Sequence, residues 1–251
     1  MKCHQRDETV IRKERILSIP NAYEGYSKWK RWDPNNWGSF PKKKAREFRL
    51  LAGTEVKDLR LLEVGFGKGS FLAWAKSSGA YVFGVEKEPL MLAAARERGF
   101  SVSDNLFRDF EGQAFDLIVA FDVLEHLTVD EIDRFFDFVS SSLNIEGTLV
   151  IKVPNGACPF ALGMQNGDLT HLTCLTVASL RQVLSRHPLT ITRVRPHLAP
   201  LPGGFAGVRS LLQRFSRKLY SKIAEFMWDL SEENFYQVLV IDINKDNSTP
   251  E

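Results

Sequence analysis

One stretch limits what this chain can become. From Asp58 to Pro89 it reads DLRLLEVGFGKGSFLAWAKSSGAYVFGVEKEP. Arg60 to Val64 is a short apolar run suited to a buried parallel strand. Gly65, Gly67 and Gly69 follow at alternate positions, where the missing Cβ lets a backbone turn sharply and approach a ligand. Ser70 to Ser77 carries a helical pattern through Phe71, Leu72, Trp74 and Ala75. Tyr81 to Val85 reads as a second strand and ends on Glu86. Strand, glycine turn, helix, strand is the opening of a nucleotide-binding crossover. Here an acid stands at the end of each strand.

Those two acids bear on which nucleotide is bound. A dinucleotide fingerprint reads G-x-G-x-x-G and sets a pyrophosphate on the helix N-terminus. In this chain the spacing is G-x-G-x-G, and Ser70 stands at the third fingerprint position. Glu63, just before the turn, would repel a pyrophosphate and attract a cation. Glu86 is placed to accept hydrogen bonds from ribose hydroxyls. A ribose at one end and a cationic amino acid at the other describe S-adenosylmethionine. An NAD-type or purely structural turn is the competing reading.

At these residues the chain resembles the class I S-adenosylmethionine-dependent methyltransferases, whose first motif is E/D-x-G-x-G-x-G. Glu63, Gly65, Gly67 and Gly69 match it. The resemblance implies a doubly wound, Rossmann-like α/β sheet of seven strands in the order 3-2-1-4-5-7-6, with a final antiparallel hairpin. It also implies cofactor contacts from Glu86 and Lys87, from an acid or amide at Asp104 or Asn105, and from Asp122 and Val123.

Composition narrows the rest. At 251 residues, 44% of them hydrophobic, one domain with appendages is expected. The division is a basic, aromatic cap region over 1–52, a cofactor-binding domain over 53–243 with a helical insertion at 207–229, and a polar tail over 244–251. No run approaches the roughly 20 apolar residues of a membrane span. The opening MKCHQRDETV lacks an apolar signal segment, so a cytoplasmic protein is expected. Cys3, Cys158 and Cys174 are few, odd in number and unpaired in spacing, which argues against a disulfide framework or zinc site. Basic residues outnumber acidic ones 15 to 8 over 1–60, whereas acidic outnumber basic 15 to 7 over 61–150. The basic ends could face an anionic substrate or membrane surface, or be ordinary solvated surface.

Residues 1–20 lack periodicity and are expected to be mobile. Then Tyr23, Tyr26, Trp29, Trp32, Trp37 and Phe40 crowd into one short span. Such a span is either a cap packing its own aromatics or a wall on which sugars stack. Pro41 to Ala52 reads as a basic helix. Farther on, Ala114 to Ala120 reads as the fourth strand, and Phe121-Asp122-Val123-Leu124-Glu125-His126-Leu127 follows it. This resembles the D-V-L-E-H-L motif of one methyltransferase branch. His126 is a candidate base or a support for the loop. Thr148 to Val153 reads as the fifth strand, Leu189 to Val194 and Tyr236 to Ile243 as the last two.

Between the fifth strand and the next helix lies NGACPFALGMQNGDLTHLTCLT, a long glycine-punctuated loop at a strand end. V-P-N-G-x-x-P-F with G-D-x-T-H resembles methyltransferases of bacterial surface-polysaccharide biosynthesis, as does the stretch from Gly25 to Trp32. That resemblance implies a saccharide acceptor, on a glycan or its lipid-linked precursor. A sugar hydroxyl attacks poorly until its proton leaves, and a histidine held by a carboxylate is a suitable base. Asp168 and His171, three apart, are that pair; fixing the loop is their alternative role. No metal is required, although Asp168 with Asp122 could hold a divalent ion. A small phenolic or quinone acceptor, in an apolar pocket lined by Phe160, Leu162 and Met164, is the second reading, and a cofactor-retaining binding protein without turnover the third. A nucleic-acid acceptor is not expected, since no N-P-P-Y-type motif is present.

Gly207 to Asp229 repeats apolar residues at helical spacing (Val208, Leu211, Leu212, Phe215, Leu219, Ile223, Phe226) beside five cations. The stripe is expected to pack on the domain, with an acceptor lid or an anionic membrane contact as alternatives.

Overall fold

The computed structural model describes residues 25–197, 204–228 and 230–246. Expectations for residues 1–20, for Tyr23 and for the end of the tail lie outside them. Residues 25–32 belong to one compact unit and residues 33–246 to another. In the first, the short helix α1 (Tyr26–Trp29) sets Tyr26 against Trp29 and Trp32, with the Lys30 ammonium over two of the rings.

In the second unit the apolar runs form one seven-stranded sheet. Its strands are β1 (Arg60–Val64), β2 (Tyr81–Val85), β3 (Ser101–Ser103), β4 (Phe115–Phe121), β5 (Leu143–Pro154), β6 (Leu189–Pro196) and β7 (Val238–Lys245). They lie in the order β3-β2-β1-β4-β5-β7-β6, as expected. The first five are parallel, and β7 runs antiparallel to both β5 and β6. β5 begins five residues before the expected Thr148. Leu143 pairs with Phe115, and the register then shifts before Leu117 meets Thr148. The polar Asn144 and Glu146 hide this stretch from an apolar pattern, because it is a bulged lead-in rather than a core strand.

The helices are α2 (Lys42–Ala52), α3 (Ser70–Ser77), α4 (Pro89–Glu97), α5 (Leu106–Phe110), α6 (Val129–Ser142), α7 (Leu162–Gln165), α8 (Val177–Leu184) and α9 (Gly204–Trp228). Local chemistry sets their starts. Thr128 and Glu131 form a reciprocal capping box for α6, Thr176 caps α8, and Asn105 caps α5. The α6 face of Ile132, Phe135, Phe136 and Val139 joins Leu180 and Leu184 of α8 over Leu62, Ile118, Leu149 and Ile241. By strand alternation, Leu117, Val119 and Phe121 turn to the other face, where the Phe121 ring meets Phe71. Phe48 of α2 packs there against Phe71 and Trp74.

The aromatic span resolves into packing where it enters this unit. Trp37 is buried, edge-on to Phe66 and Phe100, and Phe40 meets Phe48. The expected packing of α9 is reversed. Among its described side chains Ser221 and Ala224 are the buried ones, and Tyr220 meets Phe160 and Phe235. The apolar stripe stands in solvent: Leu212 is 61% exposed, Phe215 68% and Phe226 92%. Small side chains let the helix approach the domain closely on the face that hydropathy alone assigns to water.

Candidate functional site

The carboxyl ends of β1, β2 and β4 converge, and the loops leaving them build the site. Gly65, Gly67 and Gly69 all have positive φ (73°, 51° and 68°), which glycine adopts without strain. Two of them also face close neighbours. A Cβ on Gly65 would lie 2.5 Å from a Val123 methyl, and one on Gly69 would lie 2.1 Å from the Trp37 ring. The loop after β4 thus rests on the glycine loop from one side and Trp37 from another. Gly38 N–H donates to the Lys68 carbonyl at 2.7 Å, tying the segment after Trp37 to the same loop.

Glu86 is buried and held by three backbone donors. Its Oε2 accepts from Gly67 N–H at 2.6 Å, and its Oε1 from Lys87 and Glu88 N–H at 2.7 and 3.0 Å. A carboxylate offers about four acceptor positions, so Oε2 retains one for a ribose hydroxyl. Lys87 contributes its backbone here, and its side chain is exposed. Glu63 is also buried, and its Oε2 has no hydrogen-bond partner. Burial, and then the negative charge of Glu86, hold its carboxyl well above the ordinary carboxylate range. An orphaned buried carboxylate beside a glycine loop is what a cationic amino acid would satisfy, so these residues fit S-adenosylmethionine.

Beyond β3, Glu86 N–H donates to the Ser103 carbonyl, which brings Asp104 close to Glu86 along the chain. Asp104 is exposed and paired with Arg108 at 2.8 Å, while the Asn105 side chain caps α5 through Arg108 N–H. Beyond β4, Asp122 has φ 57° and pairs with Lys152 at 2.5 Å. Lys152 was not foreseen; it reads as one polar residue inside an apolar strand.

The second half of the site comes from two loops far apart in sequence. Leu172 and Thr173 N–H both donate to the Glu125 carbonyl, and Thr173 Oγ1 to the Leu127 carbonyl at 2.6 Å. This lays the G-D-x-T-H segment along the D-V-L-E-H-L segment. Asp168, buried, accepts from Thr170 N–H and from Thr170 Oγ1 at 2.6 Å. The same hydroxyl lies 2.8 Å from His126 Nδ1, which is also 3.2 Å from the Thr170 carbonyl. A carbonyl only accepts, so Nδ1 is the donor in that contact. His171 Nδ1 likewise donates to the Gln165 carbonyl at 2.9 Å, and its Nε2 lies 3.9 Å from Asp168 Oδ2. The two imidazoles meet edge-on with centroids 4.7 Å apart.

The structure therefore gathers His126, Asp168 and His171, and adds Thr170 as their link. Sequence reasoning passed over Thr170, although it sits inside the quoted motif. Asp122 is paired with Lys152, so the option of an ion between Asp122 and Asp168 gains nothing. The grouping with metal-binding donors among the described residues is Glu125, His126 and His171. A cavity of about 790 Å³ lies elsewhere, between α2, β6, β7 and α9, and shares no residue with this site.

A family profile described as "Methyltransferase domain" matches residues 37–194, more than half of the chain. No curated protein matches. Among solved structures, the fold is similar to an S-adenosylmethionine-dependent methyltransferase from Mesorhizobium loti (21% identity, 81% of this chain and 98% of that one, TM-score 0.54). It is similar to another from Archaeoglobus fulgidus (16%, 89% and 99%, TM-score 0.60). It is also similar to the magnesium protoporphyrin IX methyltransferase of Synechocystis PCC 6803 with bound SAH (14%, 91% and 98%, TM-score 0.55).

Proposed function

The chain belongs to the methyltransferase-domain family and uses S-adenosylmethionine, and from that premise we propose that its acceptor is a saccharide hydroxyl, on a bacterial surface glycan or its lipid-linked precursor. The observation that carries this reading is the cluster of buried Asp168 and Thr170 with half-buried His126 and His171, joined to the glycine loop through Val123. When bound, the cofactor supplies a methyl group already activated on sulfonium. The protein has to bring an oxygen into line and take its proton. Phenols are acidic enough to need little help, whereas a sugar hydroxyl needs a positioned base. His171 Nε2 is that base, and the nearby Asp168 carboxylate stabilises the imidazolium that forms. His126, fixed by Thr170, stands beside it and orients the hydroxyl.

Glu63 and Glu86 would hold the two ends of the cofactor, with Asp104, Asn105, Asp122 and Val123 along the crevice. Phe160, Leu162 and Met164, the residues that would line a pocket for a phenolic or quinone acceptor, are exposed. The basic stretches suit work at the cytoplasmic face of a membrane, where a lipid-linked glycan is presented. No described helix is long and apolar enough to cross one.

The test is transfer of labelled methyl from S-adenosylmethionine to saccharide, lipid-linked saccharide and phenolic panels. An alkali-stable methyl ether on a sugar is the expected product. Label confined to phenols would overturn the reading.

Glu63 gives the cofactor site a pH signature. Its folded value lies above its unfolded one, so the folded protein holds the extra proton in that window. Its contribution to stability is full below the unfolded value and is lost as pH rises through the folded value. A cationic ligand takes the charged carboxylate, so binding should release a proton and tighten as pH rises through the same window. Calorimetry in buffers of differing ionisation heat measures this. Proton release should disappear in Glu63→Gln, and an unchanged release there would remove Glu63 from the role.

A further inference from the structure

The α9 stripe asks for an occupant. Val208, Leu211, Leu212, Phe215, Leu219, Ile223 and Phe226 are each about half exposed or more, on a helix whose opposite side is the docked one. Contiguous apolar surface of this kind marks an interaction site rather than ordinary surface. The charges around it indicate the partner's chemistry. By helical spacing Arg209, Lys218 and Lys222 flank the stripe, whereas Arg214 lines the cavity on the domain side; the helix's one described acid, Glu225, is paired with Lys222 at 2.6 Å. A second copy laid stripe to stripe would bring cations against cations. An anionic bilayer satisfies both the stripe and its basic flanks.

The neighbouring loop extends this face. Phe160 touches Tyr220 of α9, and Phe160, Leu162, Leu169 and Leu172 are all exposed, Leu169 at 90%. That loop is the one carrying Asp168 and His171.

We propose that α9 and the apolar edge of the 160–172 loop form one surface that docks in the plane of an anionic membrane, so that the acceptor enters the site from the lipid side. The orientation gives the exposed residues of the loop a purpose that a soluble acceptor would not. A lipid-linked saccharide would present its hydroxyl to His171 without leaving the headgroup layer. The proposal rests on the saccharide reading for its acceptor, but the docking itself does not depend on turnover.

Flotation of the full chain with vesicles of phosphatidylcholine, with and without about one third phosphatidylglycerol, tests it. Binding should require the anionic lipid and fall as salt rises. Each cation near such a surface contributes about fivefold to partitioning. Arg209→Glu with Lys218→Glu should therefore weaken binding by at least about 25-fold. Phe215→Ser with Phe226→Ser should abolish it at any salt. S-adenosylmethionine affinity, unchanged in both double variants, confirms that they fold. A protein left wholly unbound, or variants that float equally well, would overturn the proposal. So would a stripe-dependent dimer in sedimentation equilibrium that ignores vesicles. Docking lost while soluble saccharides are still methylated would remove the membrane and leave the acceptor reading. Docking intact with only phenols methylated would do the reverse.

Discussion

Replacing His171 with alanine should lower turnover by about 10²–10⁴, the usual contribution of a positioned general base, and leave cofactor affinity nearly unchanged. The geometry explains the separation. His171 meets Gln165, Asp168 and the edge of His126, and none of these belongs to the glycine loop or to Glu86. Single-turnover rates with a saccharide acceptor, alongside calorimetric cofactor binding, give the two readouts. His126→Ala in parallel separates the rings: as an orienting group it should raise KM and cost less in kcat. A loss below tenfold in His171→Ala would assign that residue to holding the loop, and a larger loss in His126→Ala would exchange the two roles. Thr170→Val should resemble His126→Ala, because the hydroxyl is what ties that ring to Asp168.

The second large effect is on stability. Gly69→Ala places a methyl 2.1 Å from the Trp37 ring at a φ of 68°. A non-glycine residue in the left-handed region costs about 1–2 kcal/mol, and overpacking a tight site about 1–3 more. The sum, about 2–5 kcal/mol, corresponds to a fall in melting temperature of roughly 5–15 °C in a domain of this size. Gly99→Ala is the control, since its φ is 70° but a Cβ there meets nothing within 4 Å. It should cost only the backbone share. Removing the ring as well, in Trp37→Ala with Gly69→Ala, should make the second substitution cheaper than it is alone. Equal melting temperatures for Gly69→Ala and Gly99→Ala would show that Trp37 yields freely.

The cofactor half of the site was legible because its signals are local. Glu63, three glycines and Glu86 sit within one crossover, and strand–turn–helix geometry carries them to one place. The strand order followed from the family resemblance, and the pairings bear it out. The acceptor half was legible only as two separate motifs. That His126 and His171 meet depends on backbone bonds from Leu172 and Thr173 to Glu125, which no spacing rule encodes. Thr170 was overlooked because a threonine in a loop has no chemistry until a carboxylate and an imidazole flank it. The α9 face was misread for a physical reason as well. A stripe at helical spacing reports that one side is apolar, not that the domain is what covers it.

The placement of β7 has a consequence for how the chain reaches its shape during synthesis. β6 is bonded only to β7, and β7 alone joins it to β5. Until residues 238–245 leave the ribosome, β5 keeps a bare hydrogen-bonding edge and β6 has no sheet to enter. Leu239, Val240, Ile241 and Ile243, all fully buried, arrive last and fill the gap between two waiting strands. The nascent chain thus carries an unpaired edge, the kind that recruits other strands, over the whole interval in which α8, β6 and α9 are being made. A stall in that interval should leave the glycine-loop half folded, because β1 to β4 already pair among themselves. The other half should depend on chaperones until its closing strand appears.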